Sequence, residues 1–180
     1  MTILSYDQIQ TPKLVWEKLL ELNPIDKNAV FFEPFSGENS LYDQVDCVVK
    51  NWCEITKGKD IFFFEFKDEI EVIYTNPPYL CSIPNKKGIF KERNAVYFFM
   101  EYFMTNYRNL KKIGFIMNQK CFSSFTPKRL KKLNDLGFTI STMTLFNCNF
   151  WFGLHYFVVF DKEPNSCYKY IEQTFLKTIC

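Results

Sequence analysis

A chain of 180 residues, 47% hydrophobic and 19% aromatic, has the size of one domain and is too apolar for a disordered segment. Its net charge of +2 neither demands nor excludes a nucleic-acid partner. Seven cysteines without zinc-site spacing, and His155 as the single histidine, argue against a structural metal site. The start MTILSYDQIQ has no charged head or long apolar core, and no apolar run is long enough to cross a bilayer. These features predict a reduced, intracellular, cytoplasmic protein with no membrane contact; a phage or viral source would place it in the host-cell cytoplasm or nucleoid.

In chain order, TPKLVWEKLLEL (11–22) predicts a helix opened by Thr-Pro, with Leu14, Val15, Leu19 and Leu22 at helical spacing. AVFFEPFSGENS (29–40) predicts a buried strand, then a tight turn into a helix. VDCVVKNWCEI (45–55) predicts a short helix end and a strand, DIFFFEF a second extended run, and EIEVIYTN (69–76) a third strand. ERNAVYFFMEYFMTNYRNL (92–110) predicts a long helix with a heavy aromatic face. KKIGFIM (111–117) predicts a strand, and TPKRLKKLNDLGF (126–138) a helix closed by Gly137. TISTMTLF and HYFVVFDK predict two strands joined by a short aromatic loop, and the tail 163–180 leaves room for one more helix. Strands alternating with helices make this an α/β chain with a mostly parallel sheet flanked by helices and a terminal antiparallel strand pair. In such a sheet, ligands sit beyond the carboxyl ends of the strands.

Several residue clusters fall at those ends. Glu33, Pro34 and Phe35 run into Gly37 and Asn39, where Gly lets a backbone approach a ligand and Asn tolerates left-handed dihedrals. A strand-end carboxylate such as Glu54 can accept from a ribose diol, and one such as Asp60 from an exocyclic amine; two surface acids are the bland alternative. Asn76-Pro77-Pro78-Tyr79 ends the third strand. The lone pair of an adenine N6 or an amide nitrogen is delocalised, so its substitution needs acceptors aimed at the N–H bonds. The Asn76 oxygen and the Pro77 carbonyl can be those acceptors, held rigid by the prolines, with Tyr79 offering a stacking face. The 21 phenylalanines either serve a flat apolar ligand or partner, or replace leucine in the core. The lysines and Arg129 of 111–132 are either a solvated helix face or a phosphate-facing rim.

Together these clusters resemble the S-adenosylmethionine-dependent adenine-N6 DNA methyltransferases, a Rossmann-like class I methyltransferase family, over roughly residues 8 to 162. Thr11-Pro12 resembles the opening segment (motif X), Glu33-Pro34-Phe35-Ser36-Gly37 motif I, Glu54 with Ile55 the ribose-binding motif II, and Asp60-Ile61 motif III. Asn76-Pro77-Pro78-Tyr79 matches motif IV in full. Phe150, with Trp151 beside it, falls where these enzymes stack the flipped base.

The resemblance implies S-adenosyl-L-methionine as cofactor, no metal, and transfer of its methyl group to adenine N6 in DNA after base flipping into the pocket. Asn76, Pro77, Pro78 and Tyr79 are then catalytic, and Asn76 also touches the cofactor. Residues 1–180 form one catalytic domain with no separate target-recognition domain. Recognition falls to a partner subunit or a second copy, is weak, or belongs to residues 80–94. Two departures stand out. Asn39 replaces the second motif I glycine, and the Glu54–Asp60 interval is too short for a helix, which predicts a lost or distorted sheet edge. RNA adenine, a protein glutamine amide, or an inactive methyltransferase-fold scaffold are the alternative readings.

Overall fold

The computed structural model describes residues 11–79, 94–148, 153–163 and 167–175. Phe150, Trp151 and residues 80–93 of the expected substrate loop lie outside them. One seven-stranded sheet, in the order β2-β1-β3-β4-β6-β5-β7, organises the chain. Its strands are β1 (Val30–Glu33), β2 (Val49–Trp52), β3 (Val72–Thr75), β4 (Lys112–Asn118), β5 (Thr139–Cys148), β6 (His155–Asp161) and β7 (Lys169–Phe175). The first four are mutually parallel, β6 is antiparallel to both β4 and β5, and β7 is parallel to β5. The expected mostly parallel sheet with an antiparallel pair near its end is what forms.

Side-chain alternation along the strands divides the core in two. Phe32, Ile73, Ile113 and Phe115 point to one face, where α2 (Ala95–Asn106) lays Phe99, Met100 and Phe103 over them and α4 (Pro127–Asp135) adds Leu133. Phe31, Tyr74, Ile116 and Phe157 point to the other, covered by Val15, Trp16 and Leu19 of α1 (Lys13–Leu22). Much of the phenylalanine surplus is therefore core: Phe103 alone has ring contacts with Phe32, Phe99, Tyr107 and Phe115. Gly114 faces the α1 side, where the rings of Tyr74 and Phe157 occupy the space a side chain would take.

Several elements differ from the sequence-based expectation. On α1 the buried stripe is Val15, Trp16 and Leu19, and Leu14 is exposed, because a helix turned to bury Trp16 must turn Leu14 outward. The turn after β1 leads to a single 3₁₀ turn, Tyr42–Gln44, not a full helix. The run DIFFFEF is not a strand. Glu54 and Lys59 exchange backbone hydrogen bonds across a tight turn with Gly58 left-handed (φ 77°), and a 3₁₀ turn, Ile61–Phe63, follows at once. Six residues leave no length for a crossover, so the chain reverses and β2 becomes the edge strand. At the other end the tail adds β7 rather than a helix; Tyr168, Tyr170 and Ile171 suit a pleated surface.

The two Thr-Pro pairs behave differently. Thr126 caps α4, its hydroxyl accepting from the Arg129 N–H at 3.4 Å with Pro127 as the first helical residue. Pro12 instead stays extended (ψ 144°) outside α1, and Thr11 turns inward to become buried.

Candidate active site

The strand order reverses between β1 and β3: the chain leaves β1 for β2 on one side and returns to β3 on the other. A crevice opens beyond the carboxyl ends of two such strands. Two segments reach it, residues 34–41 after β1 and 76–79 after β3.

The first segment is held from both flanks. The backbone pairing of β1 with β2 continues past the strands, with Cys53 N–H donating to the Glu33 carbonyl and Ser36 N–H to the Cys53 carbonyl, both at 3.0 Å. Gly37 (φ 50°) and Asn39 (φ 67°) are both left-handed, so Asn39 supplies the dihedrals of the glycine it replaces. The Gly37 N–H donates to Glu54 Oε2 at 2.9 Å, and the Lys57 ammonium to the Gly37 carbonyl at 2.5 Å. Thr11 joins the same turn, its carbonyl accepting from the Ser40 hydroxyl at 2.9 Å. Thr11, Glu33, Gly37 and Glu54 are thus brought together.

Glu33 is buried, and burial raises its carboxyl well above the usual range; the nearby acids Asp43 and Glu54 push the same way, against a hydrogen bond from the Tyr42 backbone N–H and the charge of Lys57. Among the described residues, Thr11 Oγ1, Glu33 Oε2, Ser36 Oγ, Asn39 Oδ1 and Thr75 Oγ1 are buried without hydrogen-bond partners. All lie in the turn, at the two strand ends, or in the segment bonded to them. Orphaned buried polar groups are rare enough that a cluster of them at one crevice points to a ligand. The oxygens in this set suit a polar molecule rich in hydrogen-bond donors, and a positively charged group on it would favour the ionised form of Glu33.

Glu54 is fully engaged on one side. Its Oε1 accepts from the Thr56 N–H at 3.1 Å and the Thr56 hydroxyl at 2.8 Å. Asp60 caps the following turn, Oδ1 accepting from Phe62 N–H at 3.0 Å, and Ile61 is buried beneath it. Ile55 sits on the hairpin with 71% of its surface exposed, and Phe35 turns away from the crevice to pack on Phe99 at 4.7 Å. Pro34 is buried in the turn. Thr56, Lys57 and Thr75 carry no sequence-based expectation, and Ser36 enters only within the motif I segment. Thr56 carried a usable signal, since a Thr two residues after a strand-end Glu can donate back to it.

The second segment presents Asn76 half-buried, Pro77 buried, and Pro78 and Tyr79 half-buried. The Tyr79 hydroxyl donates to Asn76 Oδ1 at 2.5 Å, and its ring packs against both core clusters. An amide oxygen has two lone pairs, so Oδ1 keeps one for a second donor. Burial pushes the Cys53 thiol up to about 11, which keeps it protonated and unreactive at neutral pH. Cys47, Cys53, Cys121 and Cys167 form no disulfide, and among the described residues no group of three metal-ligating side chains gathers. Among the described residues, no helix is long and apolar enough to cross a membrane.

No family model and no curated protein matches the chain. Solved structures do. A Listeria monocytogenes protein assigned to the class I S-adenosylmethionine-dependent methyltransferases superposes with a TM-score of 0.69 at 14% identity, over 97% of this chain and 68% of its own. A type I restriction-modification methyltransferase subunit from Streptococcus thermophilus gives 0.58 at 15%, over 91% of this chain and 46% of its own. A protein from Vibrio vulnificus, assigned as the modification subunit of a type I restriction enzyme, gives 0.54 at 12%, over 96% and 47%. The chain therefore has the Rossmann-like fold of the class I S-adenosylmethionine-dependent methyltransferases. It spans about half the length of the two modification subunits.

Proposed function

We propose that the chain is an S-adenosylmethionine-dependent methyltransferase acting on the N6 amino group of adenine in DNA, with residues 1–180 as its catalytic domain. The observation that carries this reading is the position of Asn76-Pro77-Pro78-Tyr79, at the end of β3 beside a turn whose buried polar atoms lack partners. The cofactor would be held in that turn by Glu33, Ser36 and the Gly37 backbone at its amino-acid end, by Glu54 toward the ribose, and by Asp60 with Ile61 toward the adenine. When bound, it supplies a methyl group on a positively charged sulfur.

The chain's own residues do the rest. The target base leaves the stack at a cost of a few kcal/mol. Asn76 Oδ1 accepts from one N–H of the exocyclic amine and the Pro77 carbonyl from the other, which draws the nitrogen lone pair out of the ring. The Tyr79 hydroxyl occupies the second lone pair of Oδ1 and so fixes the amide plane, while its ring supports the base. Pro77 and Pro78 keep both acceptors in place without reorganisation during transfer. DNA as substrate, with a partner subunit or second copy supplying target recognition, is also what the type I modification subunits in the comparison suggest by analogy.

Radiolabelled cofactor offered with duplex DNA, single-stranded DNA, RNA and a protein fraction tests the reading. N6-methyladenine is expected in DNA, abolished by Asn76→Ala. Tyr79→Phe keeps the ring and loses the amide's anchor, so kcat should fall by about tenfold to a hundredfold with the cofactor affinity unchanged. Label only in RNA or protein would sink the choice of substrate. Cofactor binding with no label in any arm would favour a scaffold.

A further inference from the structure

We propose that the groove between α2 and α4 binds single-stranded nucleic acid, holding its phosphates with Lys128 and Lys132 and its bases against Phe98 and Tyr102. The inference stands on this groove alone, and holds whether or not the Asn76 end carries out methyl transfer.

Both helices begin at the carboxyl edge of the sheet and run down the same face, so the groove between them leads away from that edge. It has a volume of about 820 Å³, within the range of ligand sites. Over residues 97–106 of α2 it runs for about 14 Å at the rise of a helix.

Its two walls differ in chemistry. The α4 wall is cationic. Lys128 and Lys132 stand four residues apart and therefore share one helix face; both line the groove and both are exposed. Lys131 lies off that face and is paired with Asp135 at 2.9 Å. The helix thus pairs Lys131 within itself and turns Lys128 and Lys132 into the groove. Lys128 has no ion pair among the described residues. Lys132 meets Glu101, the groove's one acid, at 2.5 Å.

The α2 wall is aromatic. Phe98 and Tyr102 are also four residues apart, half-buried, and nearly parallel, with centroids 6.2 Å apart and planes at 21°. Arg129 lies 4.8 Å from the Tyr97 ring centre, and the Lys67 ammonium 3.1 Å from the Tyr102 hydroxyl. A row of ring surfaces facing a row of cations is what a flexible polyanion carrying flat bases requires: stacking for the bases, charge for the backbone. Phe98 and Tyr102 pack against the core through Phe99, Phe103 and Tyr107, and both still line the groove opposite the lysines.

Fluorescein-labelled dT12, titrated from about 50 to 300 mM NaCl without cofactor, tests this. The wild type should bind with a clear salt dependence. Lys128→Ala and Lys132→Ala should each reduce the slope of log affinity against log salt by about 0.7, the value for one lost phosphate contact on a single strand. Phe98→Leu, which keeps the apolar volume, should weaken binding several-fold without changing the slope. Absence of dT12 binding at the lowest salt overturns the inference, as does a double lysine variant with wild-type affinity and slope. Competition by a polyglutamate peptide as strong as by unlabelled dT12 would make the groove a general polyanion site, and overturn it too. The dT12 titration uses no cofactor and no adenine, so failure of methyl transfer and failure of this groove are read separately.

Discussion

Glu33 shows most clearly how a single residue ties fold to ligand. Its carboxyl is held above the usual range by burial, so the native state keeps a proton that the unfolded chain gives up near its ordinary value. The native state binds more protons across the window between those two values, and stability therefore falls as pH rises through it. Glu33→Gln removes the titration. The variant should be more stable than the wild type at pH 7.5, and the difference should shrink as the pH is brought down to about 4.5; urea unfolding at several pH values measures both. A stability difference that does not change with pH would mean that the carboxyl titrates alike in the folded and unfolded chains.

Glu54 offers a second test at the same scale. A carboxylate has about four acceptor sites, and the Thr56 N–H, the Thr56 hydroxyl and the Gly37 N–H take three. One remains, so Glu54 should hold a single ribose hydroxyl. Calorimetry with S-adenosylhomocysteine and its 2′-deoxy and 3′-deoxy analogues should show one analogue weakened by about tenfold or more and the other little affected. Comparable losses for both would point to a bidentate grip and a Thr56 that moves aside.

Among the elements, the three central strands are the most tightly constrained. A Cβ built on Gly114 would lie 2.6 Å from Phe157 Cζ and 2.7 Å from Tyr74 Cδ1, and both rings are fully buried. Gly114→Ala should cost about 1–3 kcal/mol in unfolding free energy, the usual range for overpacking a tight core. Wild-type stability in that variant would mean that the two rings can part. The strands themselves were legible in the sequence because short apolar runs such as VFF and VIYT, bounded by turn residues, have few alternatives. DIFFFEF looked the same and is not a strand. What decides it is the length of the connection: an apolar run with no room for a crossover cannot join a parallel sheet, and Phe63 is left 81% exposed on a turn. The tail misled for the opposite reason. Its β-favouring residues, Tyr168, Tyr170 and Ile171, are few and set among polar ones, and pairing along the open edge of β5 determines their conformation.

For the whole molecule, the mostly parallel sheet was readable from strands alternating with helices, and residues at the carboxyl ends of parallel strands converge. Glu33, Glu54 and Asn76 lie at or just beyond such ends. Tyr79 could not be placed in detail: its hydrogen bond to Asn76 depends on how the Pro-Pro segment turns, which residue types alone leave open. Nor could the walls of the α2–α4 groove, since each helix shows only half of the pattern until the sheet sets them side by side.

The bonds that join the Gly37 turn to the Glu54–Lys59 hairpin have a kinetic consequence. Two hydrogen bonds, Gly37 N–H to Glu54 and Lys57 to the Gly37 carbonyl, close this side of the crevice, and no ring of the core takes part in them. Such a latch can open through a fluctuation of six residues, on the nanosecond-to-microsecond scale of loops, rather than through the slower hinging of domains. Entry and departure of a ligand here would then be timed by a hairpin, and the sheet would stay still while the crevice is loaded.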